Sequence, residues 1–137
     1  MSYLIDTNVV SEAARTRPNA RVLRWLTAVP DSALHLSVLT LGELRNGVEK
    51  LQDEPRRERL RVWLEEEVPA WFEDRLLPVD ASVADRWGRL VAQAGRPVPA
   101  IDSLLAATAL VHGLRLVTRN VEDFAFAGLE LLNPWES

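Results

Sequence analysis

Apolar residues in this chain fall into short runs separated by longer stretches of helical spacing. Tyr3–Ile5 is an apolar run that stops at Asp6, and Thr7-Asn8 then suits a turn into a helix expected to reach about Ala14. A second helix should carry Val22, Leu23, Trp25 and Leu26, with Pro18 in its first turn. Pro30-Asp31 breaks the chain before a second strand, Leu34–Leu36, and Ser37 or its neighbour starts a helix through about Leu51. Glu54–Val68 reads as a charged amphipathic helix with Leu60, Trp63, Leu64 and Val68 inward, ended by Pro69. Leu76–Val79 is a third strand. Asp80 then caps a helix over Ser82–Ala94, stopped by Gly95. Beyond the Pro97 and Pro99 loop lies the most apolar helix, Ala100–His112, which ends at Gly113. Leu114–Thr118 is a fourth strand, and Leu129–Leu132 a fifth after the Phe124–Gly128 turn. Strands alternating with helices predict an α/β fold: a parallel sheet of four to five strands with helices on both faces. No repeat, low-complexity tract or linker divides residues 1–137, so one domain is expected.

Composition narrows the functional classes. Apolar residues make up 47% and charged residues 26%, a globular balance. No apolar run approaches the roughly 18 residues of a membrane span, and the N-terminus lacks the basic start and apolar stretch of a signal peptide. A cytoplasmic protein that does not enter membranes is the expectation. With no cysteine there is neither a thiolate nucleophile nor a zinc–sulfur site. The net charge of −4 argues mildly against nonspecific nucleic-acid binding. Against that stand two arginine clusters, Arg15, Arg17, Arg21 and Arg24, and Arg56, Arg57, Arg59 and Arg61. Arginine suits bidentate phosphate contact, although a solvated helix face paired with glutamates explains such clusters as well.

Sites in open α/β sheets form outside the carboxyl ends of the strands. Asp6 follows strand one, and Asn120 and Asp123 follow the strand ending at Thr118. Glu43 shares a helical face with Leu39 and Gly47, beside Gly42, which leaves room for something to approach. Asp102 stands out most, because it opens an almost wholly apolar helix, and a buried carboxylate needs a partner. Each position also admits an ordinary role. Asp6 and Asn120 can cap helices, with Asp123 at the N3 position after Asn120, Asp102 can answer the helix dipole, and Glu43 can be a boundary glutamate. Taken together these roles explain less. Carboxylates converging at one sheet edge repel by about 4 kcal/mol for a pair about 4 Å apart at an effective dielectric near 20. The only lysine, Lys50, falls at a helix end, and no arginine is evidently placed among them. An all-oxygen set without paired histidine or cysteine points to a hard divalent ion, Mg²⁺ or Mn²⁺. Such an ion supports phosphodiester hydrolysis without a protein nucleophile. His35 and His112 read as structural.

Four segments carry a family resemblance: Leu4-Ile-Asp-Thr-Asn-Val-Val-Ser-Glu12, Ser37-Val-Leu-Thr-Leu-Gly-Glu-Leu-Arg-Asn-Gly47, Ile101-Asp-Ser-Leu-Leu-Ala-Ala-Thr-Ala109 and Val117-Thr-Arg-Asn-Val-Glu-Asp-Phe124. In this order, with the closing Asn133-Pro-Trp135, the chain resembles PIN-domain proteins, and most of all the VapC toxins and their FitB-like relatives. The resemblance implies a PIN-like fold, homodimerisation and Mg²⁺- or Mn²⁺-dependent cleavage of RNA. It also implies inhibition by a small DNA-binding antitoxin. By block matching, Asp6, Glu43 and Asp102 fall on the family's metal-binding acidic positions. The fourth position, often Asp, is Asn120 here, with Asp123 nearby, which puts a second metal in doubt.

Two other classes compete. A non-enzymatic PIN-like module that acts through its antitoxin on operator DNA draws support from Asn120. A haloacid dehalogenase-type phosphatase would want a second Asp at position 8, which is Asn8, and a phosphoacceptor receiver would want a lysine within Leu114–Asn120, which has none.

Overall fold

The computed structural model of the chain describes residues 1–136. Five strands, β1 (Tyr3–Ile5), β2 (Leu34–Ser37), β3 (Leu76–Leu77), β4 (Arg115–Val117) and β5 (Leu131–Leu132), form one sheet in the order β3-β2-β1-β4-β5. Every pairing is parallel, with Tyr3 opposite Leu34, Leu4 opposite Leu116, Leu116 opposite Leu131 and Leu36 opposite Leu76. Because side chains alternate, this register sends Ile5, Leu34, Leu36 and Val117 to one face and Leu4 and Leu116 to the other.

Among the described residues seven α-helices surround the sheet, six of them packed on its two faces. The first face packs against α1 (Thr7–Glu12), α2 (Ala20–Ala28), α3 (Val38–Glu49) and α5 (Val68–Phe72), through Val9, Val10, Val22, Leu26, Leu44, Val48 and Phe72. α4 (Glu54–Val62) lies outside α3 and contributes only half-buried residues such as Leu60. The second face packs against α6 (Ala81–Ala94) and α7 (Ala100–His112) through Leu90, Leu105, Ala106 and Ala109. Trp87 donates from Nε1 to the Ser103 hydroxyl at 2.9 Å, locking α6 onto α7. Among the described residues no helix is long and apolar enough to cross a membrane.

The fold is the expected α/β arrangement with all five strands, and several boundaries differ for identifiable reasons. α1 stops at Glu12 rather than Ala14. The buried Glu12 carboxylate turns back to accept from the Asn19 backbone N–H at 3.0 Å, fixing the loop between the helices. Pro18 lies outside α2, whose N-cap is Asn19, accepting from the Arg21 and Val22 N–H groups. Pro69 does not end the charged helix. A wide π turn over Trp63–Glu67, in which the Val68 N–H reaches Trp63 O, carries the chain into α5 with Pro69 in its first turn, where the missing N–H costs nothing. β3 is shorter than Leu76–Val79, since Pro78 follows its second residue, and β5 covers only Leu131–Leu132 of the expected Leu129–Leu132. The caps on α3 and α6 are Ser37 and Asp80, as the sequence suggests. Gly95 and Gly113 close α6 and α7 with positive φ.

Candidate functional site

The parallel register brings the carboxyl ends of β1, β2 and β4 to one edge, where hydrogen bonds hold the side chains of Asp6 and Glu43. Asp6 follows β1 and is bound into both frameworks. Its N–H donates to Val117 O at 2.9 Å, its C=O accepts from Val9 and Val10, and its Oδ1 caps α1 through the Thr7 N–H at 2.8 Å. The capping role suggested by the sequence is real. It uses one carboxylate oxygen. The other, Oδ2, accepts from the buried Thr118 hydroxyl at 2.8 Å. Burial raises the Asp6 pKa above the usual carboxylate value. The bonds from Thr118 and from the Thr7 N–H pull it down, while the charges of Glu43 and Asp123 raise it further.

Glu43 reaches the same edge from α3, where its Oε1 accepts from the Thr7 hydroxyl at 2.6 Å. Neighbouring Gly42 is exposed and a Cβ there would meet nothing within 4 Å, so the space beside Glu43 is open. Asp102, in the first turn of α7, is half-buried. Its pKa is also raised, first by burial and then by the charges of Asp6, Asp123 and Glu43, with no hydrogen bond or cation lowering it. Helix-dipole stabilisation, worth about 0.3–1 kcal/mol, does not supply the missing counter-charge. Asp6, Glu43, Asp102 and Asp123 are thus one electrostatic cluster, coupled across three elements and a loop.

Asn120 and Asp123 divide differently from the sequence expectation. Asn120 occupies the position before the 3₁₀ turn Val121–Phe124, but its side chain makes no capping bond there. Its backbone works instead: the N–H donates to the Thr118 hydroxyl at 3.1 Å, and the C=O accepts from the Asp123 N–H at 3.0 Å. The bonds that place Asn120 also place Asp123 so that its charge is felt by both Asp6 and Asp102. His35 is structural, with Nδ1 lying 3.3 Å from Tyr3 O, and His112 ends α7.

Sequence reasoning passed over the two threonines. Thr118 donates to Asp6 and receives from Asn120 N–H and, at 3.5 Å, from Asn8 Nδ2, while Thr7 serves both Asp6 and Glu43. No local pattern marks them, since the burial of Thr118 and its place opposite Asp6 come from the β1–β4 register.

The donor set is all oxygen and carries excess negative charge, which suits a hard divalent cation. Among the described residues no three acidic or imidazole groups already stand at metal-ligand distance. Mutually repelling carboxylates without a cation have no reason to draw closer.

A cleft of about 880 Å³ opens from this edge, running from Thr7 and Glu43 between α1, α3 and α4 to Leu60 and Trp63. Arg15, Arg17, Arg56 and Arg59 line it. Arg57 and Arg61 of the same cluster are committed elsewhere, Arg57 to Glu49 and Glu54 and Arg61 to Glu58 and Glu65.

Residues 3–127 match the model of the PIN domain. The chain is 38% identical to the VapC ribonuclease Y4jK of Sinorhizobium fredii, covering 97% of each chain. It is 37% identical to the toxin FitB of Neisseria gonorrhoeae, over 96% of this chain and 97% of FitB. Among solved structures it superposes on FitAB bound to the IR36 DNA fragment with a TM-score of 0.87 at 34% identity, covering 97% of this chain and 95% of the other. An acidic cluster at the carboxyl edge of a parallel sheet, a family model spanning most of the chain and near full-length relatives agree: this chain belongs to the PIN-domain family.

Proposed function

We propose that the protein is a divalent-metal-dependent endoribonuclease and the toxin of a toxin–antitoxin pair, acting in the cytoplasm. The observation that carries the reading is the cluster of Asp6, Glu43, Asp102 and Asp123, coupled to one another with no cation offsetting Asp6 or Asp102. Its relatives named a VapC ribonuclease and a FitB toxin support the same reading.

Asp6, Glu43 and Asp102 would hold Mg²⁺ or Mn²⁺, with Asp123 as the fourth acidic group and Asn120 offering at most a neutral carbonyl oxygen. A hard divalent ion supplies a Lewis acid that polarises a phosphoryl oxygen and offsets the charge developing on it. The protein's own part is orientation. Thr118 and the Thr7 N–H fix both oxygens of Asp6, and the Thr7 hydroxyl fixes Glu43, so the carboxylates lose little rotamer freedom when they take up a ligand. The arginine-lined cleft offers a flanking RNA strand counter-charge leading to this edge.

The partner is a small DNA-binding antitoxin, a reading supported by the similarity to FitAB, which has been solved on a DNA fragment. The family resemblance adds a homodimer, which sedimentation of the purified protein tests.

The deciding experiment is cleavage of RNA by purified protein and its Asp102→Asn variant. The amide keeps the shape and loses the charge, so cleavage should fall at least about a hundredfold, or about 2.7 kcal/mol of transition-state stabilisation. Growth arrest on expression should disappear with it. Undiminished cleavage removes Asp102 from the site. Growth arrest that persists without cleavage replaces the nuclease by a binding protein.

A further inference from the structure

The Asn133-Pro-Trp135 segment has no part in the cluster just described, yet it is built around one residue beside it. Arg119 directly follows Thr118, the residue that holds Asp6. Its N–H donates to Asn8 Oδ1 and its C=O accepts from Asn133 Nδ2, both long at 3.4 Å. Asn133 Oδ1 in turn accepts from the Trp135 N–H at 2.9 Å, folding the indole back. The Arg119 guanidinium lies over that indole, 5.3 Å from the ring centroid. From α2, Arg21 reaches the same tryptophan and donates from Nη1 to Trp135 O at 3.1 Å.

These two arginines differ from those already committed to carboxylates. Arg15, Arg45, Arg57, Arg61, Arg89 and Arg115 pair with carboxylates. Arg21 and Arg119 are exposed, and among the described residues neither makes an ion pair. The backbone of Arg119 adjoins Thr118, which holds Asp6, while its guanidinium lies over Trp135. A guanidinium held over an aromatic ring by a cation–π contact keeps its N–H donors free for a phosphate oxygen pair.

We propose that Arg119, seated on Trp135 and joined by Arg21, forms a phosphate-binding subsite for a single-stranded RNA backbone next to the scissile phosphodiester. Asn133 and Trp135 are its positioning residues. The subsite lies on the β4–β5 side of Asp6, whereas the arginine-lined cleft lies on the α3–α4 side, so a strand crossing the acidic edge would meet cations before and after it. This inference rests on the nuclease reading and names how that enzyme holds its substrate.

The test is anisotropy of a fluorescein-labelled oligouridine in EDTA, titrated at several salt concentrations, followed by steady-state cleavage with Mn²⁺. Arg119→Gln should weaken binding roughly tenfold and lower the log–log salt slope by about 0.7, the share of one single-strand phosphate. Arg119→Lys should keep the slope and lose part of the affinity, because the charge remains and the fork does not. Trp135→Leu should weaken binding in the same direction and Trp135→Phe should largely restore it. Because Trp135 also packs against the core, the melting temperature of both variants is read alongside, and a binding loss that only tracks unfolding overturns the positioning role. In cleavage, Arg119→Gln should raise KM and leave kcat unchanged, since the residue acts beside the reacting group rather than on it. Wild-type affinity and slope in Arg119→Gln, from a protein that binds and cleaves RNA, overturn the subsite alone. A fall in kcat at constant KM overturns the flanking role. A wild-type protein that neither binds oligouridine nor cleaves RNA overturns the subsite together with the nuclease reading.

Discussion

Thr118→Val removes one oxygen atom and nothing else of consequence to shape. The lost hydroxyl donates to buried Asp6 Oδ2 at 2.8 Å and accepts from the Asn120 N–H at 3.1 Å. A hydrogen bond to a charged group contributes about 1.5–3 kcal/mol, and the burial of Asp6 keeps solvent from replacing it in full. The Asn120 N–H is closer to solvent and adds less, so the variant should lose about 2–3 kcal/mol near neutral pH in EDTA. Unfolding 137 residues releases roughly 290 cal/mol/K at about 2.1 cal/mol/K each, so the melting temperature should fall by roughly 7–10 °C. The pH dependence makes the test specific. Thr118 lowers an Asp6 pKa that burial has raised, so in the variant that pKa rises further. The difference between the two proteins is therefore full where Asp6 is ionised in the wild type, and fades as pH falls through its folded pKa. Because a raised carboxylate favours the protonated native state, both proteins gain stability on mild acidification toward the ordinary value of 3.8. The variant should gain more. Thermal melts of wild type, Thr118→Val and Thr118→Ser between pH 4 and pH 8 decide it, with the serine variant keeping most of the bond. Parallel curves for wild type and Thr118→Val, or a serine variant as unstable as the valine, would refute the reasoning.

Asp102→Asn should stabilise the metal-free protein near neutral pH, because it removes a charge raised in pKa by burial and three carboxylates, and that gain should vanish as pH falls and wild-type Asp102 protonates. Mn²⁺ at tenfold over its dissociation constant should add about 1.4 kcal/mol to the wild type and nothing comparable to that variant, read as a melting shift. Asp123→Asn should weaken Mn²⁺ binding measured by calorimetry. Asn120→Asp should tighten it if the side chain reaches the ion, while destabilising the metal-free protein; no change in either quantity would leave Asp123 as the fourth acidic ligand. Charge-neutral substitution of Arg56 and Arg59, which line the cleft, should weaken RNA binding and flatten its salt dependence, whereas the same change at Arg57 and Arg61 should cost only a few tenths of a kcal/mol of stability from exposed ion pairs.

What the sequence showed and what it hid follow from how locally each feature is encoded. Asp6 was visible because a carboxylate ending an apolar run at a strand terminus is a local pattern. Asp102 was visible because it interrupts an apolar helix. The threonine supports were not. Thr7 looks like any residue of a capped turn until α3 brings Glu43 to its hydroxyl, and Thr118 like any strand terminus until the register of β1 against β4 sets it opposite Asp6. The π turn over Trp63–Glu67 has no composition of its own, and Pro69 therefore read as a stop. The arginine clusters showed as counts of charge. Arg61 meets Glu58 and Glu65 at helical spacing, whereas Arg57 meets Glu49 only when α4 packs on α3.

Asp6 closes the β1–β4 junction through its N–H, starts α1 through its C=O and Oδ1, and takes the Thr118 hydroxyl with the oxygen that remains. Glu43, Asp102 and Asp123 carry no comparable share of the backbone. Descendants released from selection for chemistry, yet still kept for their shape, should therefore shed their acidic positions unevenly. Asp102 is the cheapest to give up, since its loss relieves repulsion. Asp6 should outlast the activity it serves, so its presence in a relative is poor testimony that the relative still cuts anything.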